Sequence, residues 1–154
     1  MSAYLLDTDV ISMLAPARAT VSAKVLDWLE RMDAESRLFL AAVTIHEIEK
    51  GIALLEYKRA KEKAARLQVW LTDLIATYGD KIIAFDAAAA TFAGRLEAKA
   101  IAAGHNPGMA DAAIAGIAQA HDLIVLTGNT RHFLPFGIPA WSPDAAVAAA
   151  MPAI

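Results

Sequence analysis

The chain has 154 residues, a net charge of −3, no cysteine and 57% hydrophobic residues. Its length predicts one domain around one core, and so apolar a composition excludes a disordered protein. The absent cysteines exclude disulfide scaffolds, thiolate metal sites and thiol nucleophiles, and the mild negative charge gives no sign of a nucleic-acid partner.

In chain order, Tyr4-Leu5-Leu6 reads as a short buried strand ending at Asp7. Thr8 to Ala15 reads as a short helix stopped by Pro16. Val25, Leu26, Leu29 and Met32 have helical spacing and predict a helix over 22–32. Leu38 to Val43 is a second strand, followed by a helix from Ile45 to Leu55. A long helix is predicted from Glu56 to Tyr78, and a strand from Lys81 to Phe85. Ala87 to Ala103 is a helix closed by Gly104, a residue suited to the left-handed turn after a helix. A turn over 105–108 leads into a helix from Met109 to Ala120 and a fourth strand from Leu123 to Thr127. Pro139 to Trp141 forms a short edge strand, and residues 144–154 form a C-terminal tail. Alanine supplies 36 residues, which favours helix and close packing. No segment reads as a leader or a membrane span, so a cytoplasmic protein is expected.

Continuous apolar strands separated by helices predict an α/β fold, a single αβα sandwich over 1–154. Its central sheet should be mostly parallel, with four to five short strands. Ligands of such sheets bind beyond the carboxyl ends of the strands. Asp7, Glu47 and Asn129 follow strands there, and Asp111 joins them if its helix points its N-terminus to that edge. Clustered carboxylates persist when they share protons or bind cations, and oxygen ligands suit Mg²⁺ or Mn²⁺. That chemistry suits phosphodiester or phosphoryl transfer.

Each acid also has a plainer explanation. Asp7 can cap the helix at Thr8. Thr44 and Glu47 match a capping box, and Asp111 suits the positive end of a helix. The four histidines lack metal-ligand spacing and read as surface or structural residues.

The blocks LLDTDVIS, TIHEIEKGI, ADAAIAGIA and TGNTRHF, in that order, resemble those of PIN-domain ribonucleases. More narrowly they resemble VapC-type toxins of toxin–antitoxin pairs, including the FitB-like subgroup. The resemblance spans Tyr4 to about Trp141. It implies Mg²⁺ or Mn²⁺, and RNA hydrolysis to a 5′-phosphate and a 3′-hydroxyl. It also implies a VapB-type antitoxin and a homodimer, assembling with antitoxin as a heterotetramer or hetero-octamer. By the resemblance, Asp7, Glu47 and Asp111 are the catalytic, metal-holding acids, with Thr8 and Ser12 in support. Asn129 falls where many PIN domains carry a further acid, and Asp9 where asparagine is common.

Arg131 follows Asn129 closely and is the first candidate for RNA contact. Lys50 opens a basic run that continues through Lys58, Arg59, Lys61, Lys63 and Arg66. Surplus apolar residues, including Ile48, Ile52, Leu54, Leu55 and Tyr57, predict an antitoxin groove near the helices of residues 22–55. Two rivals stand beside this reading. Leu5-Leu6-Asp7-Thr8-Asp9-Val10 resembles the first motif of haloacid-dehalogenase phosphatases, with Asp7 as nucleophile. A catalytically silent PIN-fold binding module is the other.

Overall fold

A computed structural model describes residues 1–16 and 21–151. Its strands are β1 (Tyr4–Leu6), β2 (Leu38–Ala41), β3 (Ile82–Ile83), β4 (Ile124–Leu126) and β5 (Ala140–Trp141). They form one sheet in the order β3-β2-β1-β4-β5, and every neighbouring pair is parallel. Strand β1 lies in the middle, with Leu5 opposite Phe39 on one side and Val125 on the other.

Side chains alternate across this sheet, and both faces are covered. Tyr4 and Leu6 join one core cluster and Leu5 the other. The first cluster is formed with helices α1 (Thr8–Met13), α2 (Ala23–Ala34), α3 (Ala42–Tyr57) and α4 (Lys61–Tyr78). At its centre Trp28 meets the Tyr4 ring edge-on, 5.0 Å between centroids. The second cluster is formed with α5 (Ala87–Ala102), α6 (Met109–Ala120), and Phe133 and Phe136. Burial of Leu5 and Leu6 contributes about 1.5–3 kcal/mol each. Among the described residues no helix is long and apolar enough to cross a membrane.

Several boundaries differ from the sequence expectation. Helix α3 begins at Ala42, not Ile45, so Thr44 lies inside it rather than capping it. The expected helix from Glu56 to Tyr78 is two elements: α3 runs to Tyr57 and α4 starts at Lys61. Between them Arg59 takes a left-handed φ of 64°. The Ala60 and Arg59 amides then donate to the Leu55 and Glu56 carbonyls, closing α3 with a Schellman turn. Such a turn usually carries glycine, as α5 does at Gly104, so arginine hid the break. The segment expected as a tail runs as helix α8 (Pro143–Ala150), capped by Ser142 and packed on α2. Its Ser-Pro-Asp start is a helix signal, but alanine in place of larger apolar residues left no visible stripe. The end of that tail, 152–154, lies outside the described residues. A short helix α7 (Thr130–Phe133) and a 3-10 turn (Leu134–Phe136) follow β4 and were not anticipated.

Helices α5 and α6 approach each other closely at Gly116. A Cβ on Gly116 would sit 2.5 Å from the Ala89 carbonyl oxygen and 2.6 Å from the Ala93 Cβ. Nothing lies within 4 Å of a Cβ placed on Gly94. Gly116→Ala should therefore destabilise by about 1–3 kcal/mol through overpacking, whereas Gly94→Ala should stabilise by about 0.5–1 kcal/mol. Urea denaturation of the two variants checks the opposite signs.

Candidate active site

The carboxyl edge of the parallel sheet gathers the acids. Asp7 follows β1 directly, and β1 separates β2 from β4, so the chain reaches the two sides of Asp7 by different routes. Such a reversal point is where open parallel sheets bind ligands. Helix α3 starts at this edge and brings Glu47 in its second turn. Helix α6 points its N-terminus here and brings Asp111 in its first turn. The resulting cleft, about 490 Å³, is lined by Asp7, Asp9, Glu47, Asp111, Thr8, Ser12, Met13, Asn129 and His132.

Asp7 is the most buried of these acids, at 7% exposure. Its Oδ1 accepts the Thr8 amide at 2.8 Å, and its Oδ2 accepts the Thr127 hydroxyl at 2.8 Å. It therefore caps α1 and faces the cleft at once. Burial pushes its carboxyl up to about 6, with Asp9 and Asp111 adding to the rise. The Thr127 and Thr8 hydrogen bonds oppose that rise without cancelling it. Asp111 is also raised, by burial first and then by Glu47 and Asp9; His132, 3.5 Å away at Nδ1, pulls it back.

Thr8 donates its hydroxyl to Glu47 Oε1 at 2.6 Å, which fixes Glu47 against the neighbouring element. The capping-box explanation of Glu47 does not hold: residue Ala41 precedes the helix and makes no side-chain cap. Thr44 is instead fully buried, its hydroxyl 3.5 Å from that of Thr8. Asp9 Oδ2 accepts the Gly128 amide at 2.8 Å and the Asn129 side-chain amide at 3.3 Å. Its Oδ1 is buried without a hydrogen-bond partner. A Cβ on Gly128 would lie 2.7 Å from Asp9 Oδ2, so only glycine leaves the carboxylate its place.

Of the residues expected in the site, seven line this cleft: Asp7, Thr8, Asp9, Ser12, Glu47, Asp111 and Asn129. Lys50 is exposed one helical turn beyond Glu47 and does not line it; Arg131 lines the next recess instead. Thr127 and His132 were missed as site residues. Thr127 is legible only as the polar end of an apolar strand, and His132 carried no ligand spacing. A third recess, about 560 Å³, continues from Thr8, Ser12 and Glu47 past Ile52, Leu67 and Trp70. Ile48 and Ile52 belong to the core rather than to a surplus; Leu54 and Tyr57 are exposed.

The four carboxylates offer oxygen donors, one of them the orphaned buried Oδ1 of Asp9, and two of the acids, Asp7 and Asp111, stand above their usual range. This set fits a hard divalent cation. Among the described residues no three acids or histidines are close enough to enclose an ion by themselves.

The fold and the acid-lined edge define a class, and the comparisons agree with it. The PIN domain family model matches residues 4–134, and the chain belongs to that family. The chain is 35% identical to the plasmid stability protein StbB of Pseudomonas syringae pv. tomato over 140 residues, 90% of this chain and 96% of the relative. It is 31% identical to the VapC ribonuclease Y4jK of Sinorhizobium fredii over 140 residues, again 90% and 96% of the two chains. Among solved structures, FitAcB from Neisseria gonorrhoeae aligns with a TM-score of 0.73 at 30% identity, covering 91% of this chain and 97% of that one.

The raised Asp7 has a consequence for stability. Its carboxyl titrates near 3.8 when unfolded and near 6 when folded, so the native state holds the extra proton between those values. Stability of the metal-free protein should therefore fall as pH rises through that window and stay low above it. Asp7→Asn removes the term. In chelator, the variant should be more stable than the parent by about 2–3 kcal/mol near pH 7.5 and by little near pH 4. Thermal melts across this range check it; equal melting points near neutrality would contradict the raised carboxyl.

Proposed function

We propose that the protein is a Mg²⁺- or Mn²⁺-dependent endoribonuclease toxin, held in check by a VapB-type antitoxin. The observation that carries this reading is the cleft lined by Asp7, Asp9, Glu47 and Asp111 at the reversal point of the sheet. The VapC ribonuclease relative supports the same chemistry. Asp7, Glu47 and Asp111 are the residues that would hold the ion, with Asp9 beside them and Thr8, Ser12 and Asn129 in support.

A bound divalent ion supplies charge neutralisation at the phosphate, which four carboxylates alone would repel. The remaining steps fall to the chain. Asp111, raised by burial, takes a proton from the attacking water. The water oxygen bonds to phosphorus, the bond to the 3′-oxygen breaks, and that oxygen takes a proton from solvent while Asp111 returns its own proton to solvent. The products are a 5′-phosphate and a 3′-hydroxyl. Thr8 keeps Glu47 directed into the cleft through its hydroxyl. Thr127 holds the Asp7 carboxylate in one orientation. Arg131 and Lys50 serve the RNA backbone as sequence-independent contacts.

The antitoxin reading rests on the recess running from Glu47 past Ile52, Leu67 and Trp70. Its apolar wall suits a partner segment whose end reaches the acids, and FitAcB shares the fold. A homodimer, with heterotetramer or hetero-octamer assembly, completes the proposal.

The test is direct. Purified, antitoxin-free protein should cleave RNA in Mg²⁺ or Mn²⁺ and lose activity in chelator. Asp7→Asn and Asp111→Asn should each lower the rate by at least about a hundredfold while the protein stays folded. Absence of cleavage with both ions would end the nuclease reading. Trapping a phosphoryl group on Asp7 would replace it with the dehalogenase-type phosphatase. RNA or antitoxin binding without cleavage would favour the silent module.

A further inference from the structure

Beyond Asp111 and His132, away from the acid cleft, lies a second recess of about 310 Å³. The turn between α5 and α6 forms one side, with His105, Asn106 and Gly108; Arg131 forms the other. Asp111 and His132 line both recesses and are the wall between them. The chemistry changes across that wall. One side presents four carboxylates. The other presents a guanidinium, two imidazoles and an amide, with Asp111 at its border. Arg131 and His105 are exposed, and among the described residues Arg131 makes no salt bridge.

The four carboxylates of the cleft repel a polyanion wherever their charge is not offset. The strand needs a cationic hold within reach of the scissile bond, and a planar Arg fork matches a phosphate's oxygens. We propose that the recess of His105, Asn106, Arg131 and His132 is a subsite for the backbone phosphate of the nucleotide adjacent to the scissile bond of an RNA strand. Arg131 supplies the charge, and His105 and Asn106 supply N–H donors from the facing turn. Pro107 stiffens that turn, so the donors stand ready before the strand arrives. The inference rests on the phosphodiesterase reading for the identity of its ligand, while its own measurement is binding.

The test uses the full-length Asp7→Asn protein and a fluorescein-labelled single-stranded RNA of about twelve nucleotides, followed by anisotropy over a range of KCl concentrations. Adding Arg131→Ala should weaken binding about tenfold at low salt and flatten the slope of log K against log salt by about 0.7, one phosphate contact on a single strand. Adding His105→Ala should also weaken binding severalfold. Lys24→Ala, an exposed charge on α2, should leave the slope unchanged. An unchanged slope and affinity in Arg131→Ala would overturn the subsite, as would failure of the parent to bind RNA. Cleavage by the unmutated protein together with an unchanged slope would sink the subsite alone. A flattened slope with no cleavage under either ion would keep the subsite and sink the catalytic reading.

Discussion

The site depends on one buried carboxylate. Asp7 is placed where the central strand ends, and a backbone amide and the Thr127 hydroxyl each take one of its oxygens. These bonds tie the ends of β1 and β4 together and leave the carboxylate no freedom to swing toward water. Burial and the neighbouring acids raise its proton affinity more than the two bonds lower it. The fold thus keeps a group where its charge is unfavourable, and the packed sheet around it bears the cost. An arrangement of that kind persists where a cation relieves it.

The same carboxylate shows why capping and chemistry are poor alternatives. Asp7 caps α1 through Oδ1 and also lines the cleft. Glu47 looked like the stronger case for a mere cap, because Thr44 precedes it by three residues. That pattern lost its meaning once α3 began at Ala42, which moves Thr44 into the helix and buries it. Residue Thr8, from a different element, then takes the role of orienting Glu47. No local spacing could reveal that bond, since it joins positions 39 apart.

What the sequence made legible follows the same division. Strand β1, helix α6 and the parallel sheet were readable because apolar runs and alanine-rich periodicity are local signals. The break at Arg59 was not, because its backbone adopts a conformation more at home in glycine. Helix α8 was hidden by small residues that pack without forming a large-residue stripe. Among the acids, position relative to strand ends was informative, whereas Thr127 and His132 matter through partners far along the chain. Asp9 and Asn129 are intermediate. Each was visible alone, but only the fold shows the amide of one donating to the carboxylate of the other, with glycine between to permit the approach.

A net charge of −3 appeared to argue against a polyanionic ligand. The distribution removes the objection. Asp7, Asp9, Glu47 and Asp111 are gathered in one cleft, and an ion bound there would offset much of their charge. Directly across Asp111, Arg131 stands without a salt bridge among the described residues. His132 lines both recesses, its Nδ1 3.5 Å from Asp111 at the boundary. On the proposed reading, chemistry belongs to the acid cleft and attraction to the adjoining recess, where Arg131 is the formal positive charge. Within a Debye length of about 8–10 Å, such a local field governs an approaching phosphate more than the sum over the chain does.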